Sequence, residues 1–115
     1  MNKRENRIKR KRRVRSKIFG TKERPRISVF RSSKHIYAQL VNDDKGETLA
    51  FASSKGFKIE QTKGKLGIAV MVGEKLAGLA KLKKVTMAVF DKGGYKFHGR
   101  VKALAEGARR GGLKF

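Results

Sequence analysis

Apolar and polar residues alternate along Arg24–Asn42, broken only around Ser32-Ser33. Alternation sends successive side chains to opposite faces, the signature of half-buried strands. The pattern predicts a β-hairpin with Ser32-Ser33 as its turn. In that register Arg31 falls opposite Lys34, Phe30 opposite His35, Val29 opposite Ile36, Ser28 opposite Tyr37, Ile27 opposite Ala38 and Arg26 opposite Gln39. One face is apolar: Ile27, Val29, Ile36, Ala38 and Leu40. The other holds Arg26, Ser28, Phe30, His35, Tyr37 and Gln39. Rings among cations and hydrogen-bonding groups suit a sheet lying against RNA, where rings stack on bases and cations meet phosphates.

Further along, Asp43-Asp44-Lys45-Gly46 reads as a turn, with Gly46 free to take positive φ. Glu47–Ser53 reads as a third strand, with Leu49 and Phe51 on one face and Thr48, Ala50 and Ala52 on the other. Residues 54–63 form a polar loop from which Phe57 and Ile59 tuck against the body. The period then changes. Leu66, Ala69, Val70, Gly73, Leu76, Ala77 and Ala80 recur at helical spacing, predicting a helix over Gly64–Lys83 in which Gly73 and Gly78 let it sit close on the sheet. Val85–Phe90 reads as a short buried strand. Gly99–Arg110 reads as a second helix, apolar at Val101, Leu104, Ala105 and Ala108, with Gly111-Gly112 as its C-cap. Leu113 and Phe115 are expected to fold back onto the body.

The order strand, strand, strand, helix, strand, helix defines an α/β (α+β-like) domain. Sequential strands pair, and a strand–helix–strand crossover returns parallel. The simplest result is a four-stranded mixed sheet of order 3-2-1-4. Both helices then cover the Ile27–Leu40 face and leave the aromatic face open. A helix on the second face would instead bury Phe30 and Tyr37 as core aromatics.

Charge sets the class of partner. Lys and Arg number 31 against 9 Asp and Glu, a net charge of +22 in 115 residues. Such an excess repels itself unless a polyanion neutralises it. Nucleic acid is the first candidate, and the chain offers no apolar run of about 18 residues to span a membrane. No apolar segment follows the basic N-terminus, so it does not read as a secretory signal, and a cytoplasmic protein, cytosolic or organellar, is expected. Cysteine is absent, and His35 and His98 alone do not make a zinc site. No cofactor or small-molecule substrate is expected.

Residues 1–26 hold 13 of the basic residues and two of the acids. Sparse apolar residues leave this stretch unable to bury a core. It reads as a basic arm over residues 1–25, disordered when free, ahead of a single domain over 26–115. Gly20-Thr21 reads as a hinge between them, and Pro25 as the entry to the first strand. The alternative is a merely solubilising tail or a nuclear-targeting signal.

A second stretch with chemistry is Phe90–Val101. It is a glycine-rich loop at a strand's carboxyl end, leading into a helix. Backbone N–H groups there suit a phosphate, with Tyr95, Phe97 and His98 as stacking surfaces and Lys92, Lys96 and Arg100 as charge. The spacing matches neither a P-loop nor a dinucleotide fingerprint. A plain turn before a helix is the competing account.

Two long motifs carry a resemblance. Arg24–Gln39 resembles the first hairpin of the large-subunit ribosomal protein eighteen family, in its bacterial form. Val89–Ala105, together with the ending Gly112-Leu-Lys-Phe, resembles that family's C-terminal signature. The resemblance covers nearly the whole chain. Lys84 departs from it, standing where relatives often have glycine, and Phe97 replaces a common tyrosine. The resemblance implies a structural component of the large subunit that binds 5S rRNA. It also implies a role in attaching that RNA to 23S rRNA in the central protuberance, near ribosomal protein five. Carried onto this sequence, the implied RNA-contacting residues fall in three groups. The arm supplies Lys3, Arg4, Arg7, Lys9, Arg10, Lys11, Arg12, Arg13, Arg15 and Lys17. The hairpin supplies Arg26, Ser28, Phe30, Arg31, Ser33, Lys34, His35, Tyr37 and Gln39. The loop supplies Lys92, Gly94, Tyr95, His98 and Arg100. Each has a plainer alternative: His35 as a cross-strand partner of Phe30, Arg31 and Lys34 as a solvated tip, Tyr95 and His98 as loop-shaping groups.

Two rivals remain. The same element order occurs in ribonuclease-H-like cores, but two-metal phosphodiester chemistry needs several converging carboxylates. Only Asp91 stands at a strand end, where it reads as a loop-shaping acceptor of backbone N–H bonds. The other rival is a non-specific basic RNA-binding protein or chaperone, acting by charge alone. The patterned hairpin face speaks for a shaped partner instead.

Overall fold

A computed structural model describes residues 18–56 and 64–115. The arm's ten basic residues from Lys3 to Lys17, and the expected tucking of Phe57 and Ile59, lie outside them. Three strands come first: β1 (Arg26–Arg31), β2 (Ile36–Asn42) and β3 (Glu47–Ser53). A 3-10 turn at Ser54–Gly56 follows, then helix α1 (Gly64–Leu82), strand β4 (Val89–Asp91) and helix α2 (Gly99–Arg110). The sheet order is β3-β2-β1-β4. β1–β2 and β2–β3 are antiparallel, and β1–β4 is parallel. Architecture and order are as the sequence pattern predicts.

The hairpin register differs by two residues. Phe30 pairs with Tyr37, Ser28 with Gln39 and Arg31 with Ile36. Ser32–His35 form a four-residue connection, closed by Ser32 N–H to the His35 carbonyl at 2.8 Å and His35 N–H to Ser32 Oγ at 3.1 Å. A two-residue hairpin turn favours positive φ, which glycine supplies and serine resists. None of these four residues adopts it. A shift of two keeps every side chain on its predicted face.

Ile27, Val29, Ile36, Ala38 and Leu40 are all buried, in one core with Ile68, Val72 and Leu76 of α1 and Val101, Leu104 and Ala108 of α2. Each fully buried aliphatic side chain contributes about 1.5–3 kcal/mol. On the opposite face Phe30 and Phe51 are 54% and 55% exposed. That face is open among the described residues.

A bulge in β3 puts Ala50 opposite Leu40 and Thr48 opposite Val41, leaving Leu49 as the extra residue. Leu49 therefore packs against the core while Phe51, opposite Gln39, points outward. The two do not share a face as alternation alone suggested.

β4 is shorter than Val85–Phe90 because residues 86–88 have another partner. Lys114 N–H donates to Thr86 and Ala88 N–H to Lys114, both at 3.0 Å. Only from Val89, whose N–H donates to the Pro25 carbonyl at 3.0 Å, does the segment join β1. Leu113 is buried, and Phe115 stacks on Phe90 with centroids 5.5 Å apart. The chain's end thus folds back as expected.

The glycines of α1 act differently from the expectation. Gly73 meets α2 rather than the sheet: a Cβ there would collide with the Leu104 carbonyl and lie 2.7 Å from Ala108 N. Gly78 is exposed, and a Cβ added there would have nothing within 4 Å. Gly20 is no hinge. It is buried, its N–H donates to Asp43 Oδ2 at 2.8 Å, and its carbonyl accepts from Asp43 N–H at 2.8 Å. A Cβ on Gly20 would meet Val41 O at 2.5 Å.

Candidate nucleic-acid interface

The open sheet face carries a tier of rings. Tyr37 lies between Phe30 (centroids 5.8 Å apart) and Phe51 (6.3 Å, 28° between planes). Alternation on β1 and β2 places Phe30 and Tyr37 outward, and the pairing of Phe51 with Gln39 brings its ring beside them. Ser28, Gln39 and these rings line a shallow depression of about 280 Å³. Thr48 Oγ1 reaches Gln39 Oε1 at 3.5 Å, and the Lys55 ammonium lies 5.8 Å from the Tyr37 ring centre. Phe51 and Lys55 were missed from sequence. The signal for Phe51 was present: pairing Ala52 with the apolar Ala38 sends Phe51 outward.

Beside the rings, the hairpin tip meets the glycine-rich loop. Tyr95 O–H donates to the Arg31 carbonyl at 3.2 Å, and the Tyr95 hydroxyl oxygen in turn accepts from Arg31 N–H at 3.4 Å. The Arg31 guanidinium sits 5.0 Å from the Tyr95 ring centre. Arg100 Nη2 donates to the Ser32 carbonyl at 2.9 Å, and Lys65 Nζ to the Ser33 carbonyl at 3.1 Å. Arg31, Lys34, Lys65 and Arg100 therefore crowd one tip. Burial pushes the Arg100 pKa down, the Arg31 charge adds to the fall, and Tyr95 opposes it. Lys65 had no motif to reveal it; it reaches the tip from the first turn of α1.

Several candidate residues are placed otherwise than expected. Arg26 is buried, not presented to a ligand. Its Nε and Nη2 donate to Asp43 at 2.9 and 3.0 Å, and its Nη1 to Asp91 Oδ2 at 2.8 Å. These bonds, Asp43's first, hold its pKa above the ordinary arginine value against the opposing effect of burial. Tyr95 is buried in the core cluster and offers no stacking surface. Gly94 is buried too. Gly93 takes φ 66° and its Cβ position lies 2.8 Å from Val29 O, so glycine there serves packing against β1. His35 turns to Ser54, Nδ1 to Oγ 3.1 Å, rather than to Phe30. Ser54 is itself buried and accepts the Ile36 N–H at 3.0 Å.

The remaining candidates are at the surface. Ser33, Lys34 and His98 are exposed, and Ser28, Tyr37, Gln39 and Lys92 are partly so. His98 is the N-cap residue of α2, in extended backbone, and its side chain makes no capping bond. Asp91 shapes the loop, accepting Gly93 N–H at 2.9 Å, and is wholly buried. No group of three or more His, Cys, Asp or Glu among the described residues is placed to hold a metal ion.

A strongly basic α/β domain with one sheet face left open to rings and cations has the form of a ribonucleoprotein component. The family model for ribosomal L18 of archaea, bacteria, mitochondria and chloroplasts matches residues 1–115. The large ribosomal subunit protein uL18 of Desulfosudis oleivorans is 52% identical over 98% of this chain and 95% of its own. Its counterpart from Staphylococcus aureus (strain JH9) is 55% identical over 95% of this chain and 92% of its own. The chain belongs to the ribosomal L18 family, a structural constituent of the large ribosomal subunit.

Proposed function

We propose that this chain binds 5S rRNA through the open sheet face and the hairpin tip. It helps attach that RNA to 23S rRNA in the central protuberance, beside ribosomal protein five, and catalyses nothing. The observation that supports this reading is the Phe30–Tyr37–Phe51 tier, exposed on a sheet face and flanked by the Arg31, Lys34, Lys65 and Arg100 cluster. Rings that are half free can stack on bases, while the adjoining cations meet phosphates. The folded surface gives shape preference; the basic N-terminal arm adds sequence-independent affinity.

The test compares the whole chain with its Tyr37→Ala/Phe51→Ala variant, measuring affinity for 5S rRNA and for a transfer RNA. Base stacking contributes about 1–3 kcal/mol per base. The variant is expected to lose tenfold or more in 5S affinity and little for transfer RNA. Equal binding of both RNAs by the unaltered chain would replace shape recognition with charge alone.

A further inference from the structure

The molecule has a second cationic surface with an aromatic floor, and it faces the other way. In β4, Phe90 is in register with Ile27 and so points to the helix side of the sheet. Phe115 stacks on it, 10° from parallel, and Phe97 meets it edge-on at 5.9 Å. The Arg109 guanidinium lies 4.5 Å from the Phe115 ring centre, and its Nε donates to a Phe115 main-chain oxygen at 3.2 Å. Across the groove, Arg24 Nη2 approaches Met87 Sδ at 3.7 Å. Arg24, Met87, Phe90, Arg109, Lys114 and Phe115 line an open groove of about 490 Å³ that contains no acidic side chain, and Phe97 stands against its Phe90 floor. Phe97 and Met87 remain 42% and 38% exposed.

We infer that this groove seats a second RNA segment, distinct from the one on the Phe30–Tyr37–Phe51 face. Charge complementarity selects the occupant. Three cationic side chains with no Asp or Glu side chain among them favour a polyanion. The guanidinium fixed over a ring, beside partly exposed aromatic and thioether surface, matches the stacking-plus-phosphate pattern of single-stranded or looped RNA. An acidic protein segment would meet the same charges but would leave the exposed ring edges without a planar partner. The sheet itself separates the two surfaces, so both are open to RNA at once. The protein is then a two-sided clamp. This rests on the RNA-binding reading above and assigns it a second set of residues.

The test uses the full chain saturated with 5S rRNA, to which 23S rRNA transcribed in separate domains is added. Formation of the ternary complex is followed by native gel or mass photometry. An Arg109→Gln/Lys114→Gln variant is expected to keep its 5S affinity and to lose about tenfold in affinity for the second RNA. The dependence of that second step on salt should also flatten by about one to two in log–log slope. Arg24→Gln, on the opposite bank, should repeat the effect more weakly and guards against misfolding of the first variant. Recruitment of the second RNA undiminished in both variants would overturn the inference and leave the arm as the bridging element. So would an unaltered complex with 5S rRNA that recruits no second RNA. A chain that fails to prefer 5S rRNA at the first step would instead refute the proposed function.

Discussion

Lys84 holds φ at 61°, the sole non-glycine with positive φ among the described residues. It follows α1, where Val85 N–H donates to the Ala80 carbonyl at 2.9 Å and Lys84 N–H to Lys81 at 3.0 Å. This is the Schellman arrangement, whose left-handed position glycine fills without steric cost. α2 ends the same way with Gly112 at φ 114°, Leu113 N–H reaching Ala108 at 3.1 Å. Lys84→Gly should therefore stabilise the protein by about 1 kcal/mol, raising Tm by roughly 4 °C in a thermal melt. An unchanged or lower Tm would show that the lysine side chain makes up for its backbone. That position was legible in the sequence as a departure from a glycine. Arg26 was not. Alternation gave its face correctly, but no local pattern announces that Asp43 and Asp91 close on it from 17 and 65 residues away. Tyr95 misled for the same reason: a tyrosine in a glycine-rich loop looks exposed until the loop folds back on Arg31.

At the scale of elements, period and punctuation decided most of the fold. The β3 and α2 bounds matched because strong turn signals flank each run. β4 lost its first residues because apolar character does not say which neighbour a strand segment pairs with. The hairpin kept its faces under a wrong register because the error was an even number of residues. Helix contact was the least legible feature, since a glycine in a helix looks the same whether it is a defect or a contact. Here the two kinds sit five residues apart. Gly73 meets the Leu104 carbonyl and Gly107 the Val70 carbonyl, so the α1–α2 crossing is backbone against backbone. Gly73→Ala forces the helices apart and should cost about 3 kcal/mol. Gly78→Ala meets nothing and should gain roughly 1 kcal/mol of helix propensity. Denaturant melts of the two variants, compared at equal m-value, check the pair. Shifts of the same sign would mean that the crossing is softer than its geometry.

For the whole molecule the question is how charge divides between body and arm. Of the net +22, residues 1–17 hold ten cations and one acid, while the body sets some of its cations at the hairpin tip and others along the β4 edge. Gly20 is fixed to Asp43 on both its N–H and its carbonyl, so the start of the described chain is anchored to the body there. Asp43 also binds Arg26, which binds Asp91, which holds Gly93 of the loop. One buried ion network thus ties the arm's root to the loop beside the tip. Each phosphate neutralised on single-stranded RNA adds roughly 0.7 to the log–log salt slope of binding. If about half or more of the arm's ten cations meet phosphates, a chain shortened to residues 18–115 should show a slope shallower by roughly 3.5 to 7. It should still prefer 5S rRNA over transfer RNA, because the rings and the tip are retained. Titrations of both chains over a range of salt concentrations separate the two contributions. Loss of the preference along with the slope would place specificity in the arm, and the sheet face would then serve only to hold the arm's root in place.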